Sequence, residues 1–161
     1  MSQIEKATSV LTILCLFLMV NAHASNTNIK ENVMLTTGTF EVHVQPMSND
    51  EADAGRMLIN KNYSGDVVGT GIGQMLSKRT SIENSAVYVA IEEFTGTVDG
   101  RNGSFSLYHV GVMNRGDNSL SVNIIPDSGT EDLVGISGSL EITASEGAHS
   151  YIFKYEIAPQ K

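Results

Sequence analysis

The chain has 161 residues, 41% of them hydrophobic, with 15 glycines, one cysteine, no tryptophan and a net charge of −8. That length suits one main domain with a sizeable core. Its ten Lys and Arg form no run or stripe, which excludes nucleic acid as a partner and disfavours anionic membrane surfaces, since both are held by clustered positive charge.

Residues 10–20 are an apolar stretch broken only by Thr12, preceded by Lys6 and followed by Ala22-His-Ala24. The pattern predicts a signal peptide over residues 1–24, too short in its apolar part to span a bilayer and ending on a small-residue cleavage signature. Cys15 lies inside the apolar stretch rather than at its end, so lipid attachment is not expected. The mature chain lacks cysteine and forms no disulfide despite export. A periplasmic or secreted bacterial protein is expected, with no membrane association after cleavage. Removing the leader deletes Glu5 and Lys6 and leaves the net charge unchanged.

Residues 25–34 read as a flexible lead and residues 35–161 as a single β-barrel domain. No stretch keeps a helical period through its glycines and β-branched residues. Eight strands are predicted, over residues 35–45, 57–63, 67–76, 86–95, 104–114, 120–125, 134–144 and 149–157, joined by short Gly, Asn, Asp and Ser turns. Tyr63-Ser-Gly-Asp-Val-Val-Gly69 rhymes with Phe94-Thr-Gly-Thr-Val-Asp-Gly100 and, in shortened form, with Leu133-Val-Gly-Ile-Ser-Gly138. These repeats read as glycine corners that bend a sheet toward closure. Gly69, Gly71 and Gly73 share one face of the third strand and leave it bare. Tyr63 or the inward residues of the eighth strand, His149, Tyr151, Phe153, Tyr155 and Ile157, are expected to fill the gap.

The hairpin of residues 86–114 carries the candidate chemistry. A turn at Arg101-Asn102 sets Phe94 opposite His109, with Glu92 diagonal on the same face; a slip of one residue would bring in Glu93 instead. That face holds Tyr88, Ala90, Glu92, Phe94, Phe105, Leu107, His109 and Gly111. An acid and an imidazole among aromatic neighbours can form a proton-transfer site, or a satisfied structural pair. The opposite face, Val87, Val89, Ile91, Val110 and Val112, would be exposed on a monomeric barrel, which points to a homo-oligomer. His43, His109 and His149 are scattered without ligand spacing, so no metal is expected, and no cofactor. Ser128-Gly-Thr130 lacks the context of a nucleophile elbow or phosphate loop and reads as a turn, capped by Asp127 or Ser128 and anchored by Leu133.

Tyr63-Ser-Gly-Asp66, Glu92-Glu-Phe-Thr-Gly96, Gly100-Arg-Asn-Gly-Ser-Phe105, His109-Val-Gly111, Pro126-Asp-Ser-Gly-Thr130, Leu133-Val-Gly-Ile-Ser-Gly138 and Tyr151-Ile-Phe-Lys-Tyr155 together resemble the DUF3224 family, a bacterial family of unknown function. The resemblance covers nearly all of the mature chain. It implies an all-β, closed, antiparallel, eight-stranded meander barrel similar to that of plant allene oxide cyclase, in a wider group that includes cyclases and dirigent proteins. It implies no catalytic residue, because no active-site motif of those enzymes aligns here. The export signal departs from the cytoplasmic character of most of the family.

Two functions follow as expectations. One is a barrel that binds a small apolar or amphipathic molecule among Tyr63, Phe94, Phe105, Tyr151, Phe153 and Tyr155. The alternative is a cyclase or isomerase acting on a reactive apolar substrate, with Glu92 and His109 as its proton-transfer pair.

Overall fold

The computed structural model describes residues 32–47, 54–145 and 147–159. The predicted leader and most of the predicted lead lie outside the described residues. Eight strands follow in chain order: β1 Met34–Pro46, β2 Gly55–Gly65, β3 Val67–Arg79, β4 Ser85–Val98, β5 Arg101–Asn114, β6 Asp117–Ile124, β7 Ile136–Ser145 and β8 Ala148–Ile157. Each pairs antiparallel with its neighbours in sequence, and β8 pairs back onto β1, closing the barrel. Closure joins the two edges of the sheet, with β6 and β7 meeting at the single pair Asn123 and Ser139.

The strands form because β-branched, aromatic and glycine positions alternate in phase with a pleat. In β4, Ala90, Glu92, Phe94 and Val98 are buried, and in β5 so are Phe105, Leu107 and His109, while Val87, Val89, Ile91, Val110 and Val112 face outward and are exposed. The β4–β5 turn is Asp99-Gly100, with φ of 49° and 76°. Two successive left-handed residues make a type I′ turn, whose twist matches the flanking strands. The register therefore pairs Val98 with Arg101, Phe94 with Phe105, and Ala90 with His109. This corrects the turn expected at Arg101-Asn102 and the Phe94–His109 pairing. The slide is by an even number of residues, so the side chains on the inner face are the ones expected.

At the end formed by the β2–β3 and β4–β5 turns the interior is filled. Rings pack in sequence there: Phe94 on Phe105 at 4.9 Å between centroids, Phe105 on Phe153 at 5.8 Å, and Phe153 on Tyr155 at 4.9 Å. Tyrosine hydroxyls tie this end to the turns. The Tyr155 hydroxyl donates to Asp99 Oδ2 at 2.6 Å, and the Val67 N–H donates to the Tyr151 hydroxyl at 3.0 Å. Because β6 leaves β5 after Leu107–Ile124, the connector to β7 takes over along β5. There Ser104 N–H donates to Thr130 Oγ1 and Ser106 N–H to Ser128 Oγ. The connector contains a 3-10 turn, Glu131–Leu133, whose Leu133 is fully buried. Neither Asp127 nor Ser128 caps it; the residue at its start is Thr130, without a side-chain cap bond.

Candidate functional site

Near mid-barrel the filled half ends on four polar side chains. Lys61 projects inward from β2 between Ile59 and Tyr63, and Glu92 and His109 project inward from β4 and β5; Glu92 is 0% exposed, His109 4% and Lys61 6%. Lys61 Nζ donates to Glu92 Oε2 at 2.7 Å, and the Tyr63 hydroxyl donates to Glu92 Oε1 at 2.7 Å. Lys61 Nζ also reaches the Tyr63 oxygen at 3.3 Å and lies 4.7 Å from the centre of the Phe40 ring. His109 Nε2 stands 3.0 Å from Glu92 Oε2. It lies off the line of a good N–H hydrogen bond, so the contact is close but oblique.

Glycine makes room for this carboxylate. A Cβ on Gly71 would overlap Glu92 Oε1 and crowd the Tyr63 ring, and one on Gly69 would reach Phe94. The bare face of β3 is thus filled by Glu92, Tyr63 and Phe94. This corrects the expectation that strand-eight aromatics fill it; only Tyr63 among the expected fillers does so.

The electrostatics follow from burial against pairing. Burial by itself pushes the Glu92 carboxyl up, but the His109 contact, the Lys61 ammonium and the hydrogen bonds from Lys61 and Tyr63 outweigh it and hold the pKa at about 2. Burial raises the Tyr63 hydroxyl, and the neighbouring Glu92 charge raises it further, so Tyr63 stays a neutral donor. Because the folded pKa of Glu92 lies below its ordinary value of 4.5, its ionised form contributes stability that is complete above about pH 4.5 and is lost as pH falls toward 2. The expected loss across that window is about 3 kcal/mol. Urea denaturation from about pH 6 to about pH 2 checks it: the wild type should lose that much more than Glu92→Gln, and parallel curves would contradict it.

Beyond the polar group the barrel holds a cavity of about 300 Å³, bordered by Lys61 and His109 and walled by residues such as Phe40, Val42, Ile59, Met75 and Ile142. Its rim includes Val44 and Leu120, which are 44% and 43% exposed, and His149, stacked on Phe40 at 5.0 Å. Of the sequence-predicted site residues, His109 borders this cavity and Glu92 lies beneath it. Tyr63, Phe94, Phe105, Tyr151, Phe153 and Tyr155 do not line it. All six are buried in the core, where the aromatic rings pack on one another. Lys61 was missed by the sequence reading. Its signal was available, since Met57, Ile59, Lys61 and Tyr63 share one phase of β2 and lysine is the discordant member. Among the described residues no three metal-capable side chains cluster, and no helix is long and apolar enough to cross a membrane.

Fold and site together define a closed, eight-stranded, antiparallel meander barrel, packed at one end, with a buried Lys-Glu-His group at the base of a cavity at the other. The chain belongs to the DUF3224 family, described as proteins of unknown function, whose model matches residues 36–155. It is similar to a solved structure of a DUF3224 protein of unknown function from Shewanella oneidensis MR-1. The two share 36% identity with a TM-score of 0.76, covering 80% of this chain and 99% of that one. Comparison with curated proteins gives no match.

Proposed function

We propose that this protein is an exported carrier or binder of a small apolar or amphipathic molecule, held in the half of the barrel that side chains leave unfilled. The observation that carries the reading is the cavity of about 300 Å³ with hydrocarbon walls and a base of Lys61 and His109. Eight-stranded barrels are at the width where the interior is either just filled or holds one small ligand, and this one does the first at one end and the second at the other. A few polar groups among apolar walls are what fixes a ligand's orientation. The predicted leader supports a location outside the cytoplasm, and the exposed Val87–Val89–Ile91 face supports self-association.

Native mass spectrometry of protein purified from a bacterial periplasm tests the binding. The wild type is expected to carry one small molecule per chain, and Val42→Trp, which fills the cavity, none. Wild-type protein that emerges empty and fails to take up the apolar fluorophore N-phenyl-1-naphthylamine would overturn the proposal.

A second reading, a cyclase or isomerase, draws on the 3.0 Å contact between Glu92 and His109. In it His109, which borders the cavity, exchanges the proton. Glu92, with its carboxyl held at about 2, is too weak a base for that task near neutrality and instead positions the imidazole.

A further inference from the structure

We infer that the ligand of this cavity is an apolar-tailed carboxylic acid, bound head first with its carboxyl group against Lys61 and His109 and taken up together with one proton. The inference rests on the binding function proposed above and adds the chemistry of the ligand's head.

Direction comes first. Of the cavity's polar side chains, Lys61 and His109 are the most buried, at 6% and 4% exposed, Tyr88 and the rim's His149 being half-buried, whereas Val44 and Leu120 at the rim are 44% and 43% exposed. An amphipathic molecule therefore meets mainly hydrocarbon and the His149 ring on entry and the ammonium of Lys61 only at the base, so a head that seeks that charge leads. Were the tail to lead, it would lie on an ammonium and an imidazole while its head sat among Val44, Leu120 and Ala144 with the His149 ring beside it and no ammonium within reach.

The head must accept hydrogen bonds. Lys61 is a pure donor with three N–H groups; Glu92 Oε2 and, at longer range, the Tyr63 oxygen occupy two of these directions. His109 is nine-tenths buried, and its Nε2 lacks an aligned acceptor. Two adjacent groups that can donate, on neighbouring walls, match the two oxygens of one carboxyl group better than the single oxygen of an alcohol.

Charge then decides the proton. The groups that face His109 are Glu92 and Tyr88 from β4, Lys61 from β2 and His149 across the cavity from β8; Val122, opposite it on β6, is apolar. Lys61 and Glu92 cancel one another, so a carboxylate entering beside them brings one uncompensated negative charge into a low-dielectric site. Either His109 takes up a proton or the acid enters in its neutral form. Both routes bind one proton per ligand from neutral solution. The volume suits a short chain, since about 300 Å³ equals roughly ten waters at about 30 Å³ each.

Isothermal titration of the full protein with octanoate and with octan-1-ol tests this, run at about pH 7.5 in phosphate and in Tris. Octanoate is expected to bind at least about tenfold tighter than the alcohol, and the difference in heat between the buffers should correspond to roughly one proton taken up per ligand. Lys61→Met should lower octanoate affinity by at least about tenfold and leave octanol unchanged. If that variant fails to fold, the acid-to-alcohol ratio and the proton count in the wild type decide alone. Equal binding of acid and alcohol without proton uptake overturns the carboxyl inference and leaves the binding function standing. Uptake of N-phenyl-1-naphthylamine but of neither octyl compound also overturns it, whereas failure of all three probes removes the binding function as well.

Discussion

Glu92→Leu is expected to destabilise the protein by about 3–5 kcal/mol, a large part of the total stability of a domain this size. The carboxylate is fully buried and is the sole anionic partner of Lys61 among the described residues' ion pairs at this site. Removing it leaves an ammonium inside the barrel with the Tyr63 oxygen and the Phe40 and Tyr63 rings as its neighbours. The ordering of variants matters more than the single value. Lys61→Met/Glu92→Leu, which replaces the pair with apolar side chains of similar size, should cost no more than about 2 kcal/mol, because desolvating two charges has already consumed most of what their attraction supplies. Urea midpoints for the two single variants and the double variant measure the coupling. If the single changes simply add, Lys61 and Glu92 are energetically independent and the account of the site is wrong. If the double variant is as stable as the wild type yet loses ligand, the pair is present for function rather than for folding.

Gly71→Ala is the second large effect, expected at about 3–4 kcal/mol, which exceeds the usual cost of one added methyl group in a core. Gly71 has no left-handed backbone requirement, so the conformation itself would accept alanine. The cost comes from the new Cβ falling on Glu92 Oε1 while the Tyr63 ring closes the other side. Glu92 cannot retreat without loosening its bond to Lys61 and its contact with His109. The same substitution made in Glu92→Asp, whose shorter side chain withdraws the carboxylate, should therefore cost about 2 kcal/mol less than in the wild type. Equal costs in the two backgrounds would show that the glycine serves the backbone and not the carboxylate.

The strands were legible in the residues because alternation and turn chemistry are local. Residues 86–95 and 104–114 were expected as strands and lie within β4 and β5. The hairpin turns at Asp99-Gly100 and not at the expected Arg101-Asn102. The choice between the two depends on whether Val98 and Arg101 pair, and cross-strand pairing is not written in either strand alone. The inner face is unaffected because a slide by four residues preserves the alternation, whereas a slide by one puts Glu92 and His109 on opposite faces. The chain's glycines also signalled a gap on β3, but what fills it was not deducible. The aromatic residues of β8 and the carboxylate of β4 both carry the right phase, and only closure decides which lies opposite.

The buried group shows the same boundary. Glu92 and His109 attracted attention because they sit in one hairpin, close in sequence. Lys61 is 31 residues from Glu92 and reaches it across β3, over the space that Gly71 leaves open. Alternation places Lys61 on the inner face of its strand, yet a lone inward lysine has no meaning until its partner is known. The sequence by itself determined an antiparallel, glycine-cornered sheet and the side chains each strand turns inward, since those depend on neighbours one or two residues away. Only the tertiary structure decided which inward residues meet, that aromatic rings fill one half and leave the other hollow, and that a lysine completes the site, because those outcomes depend on how eight staggered strands close around one shared volume.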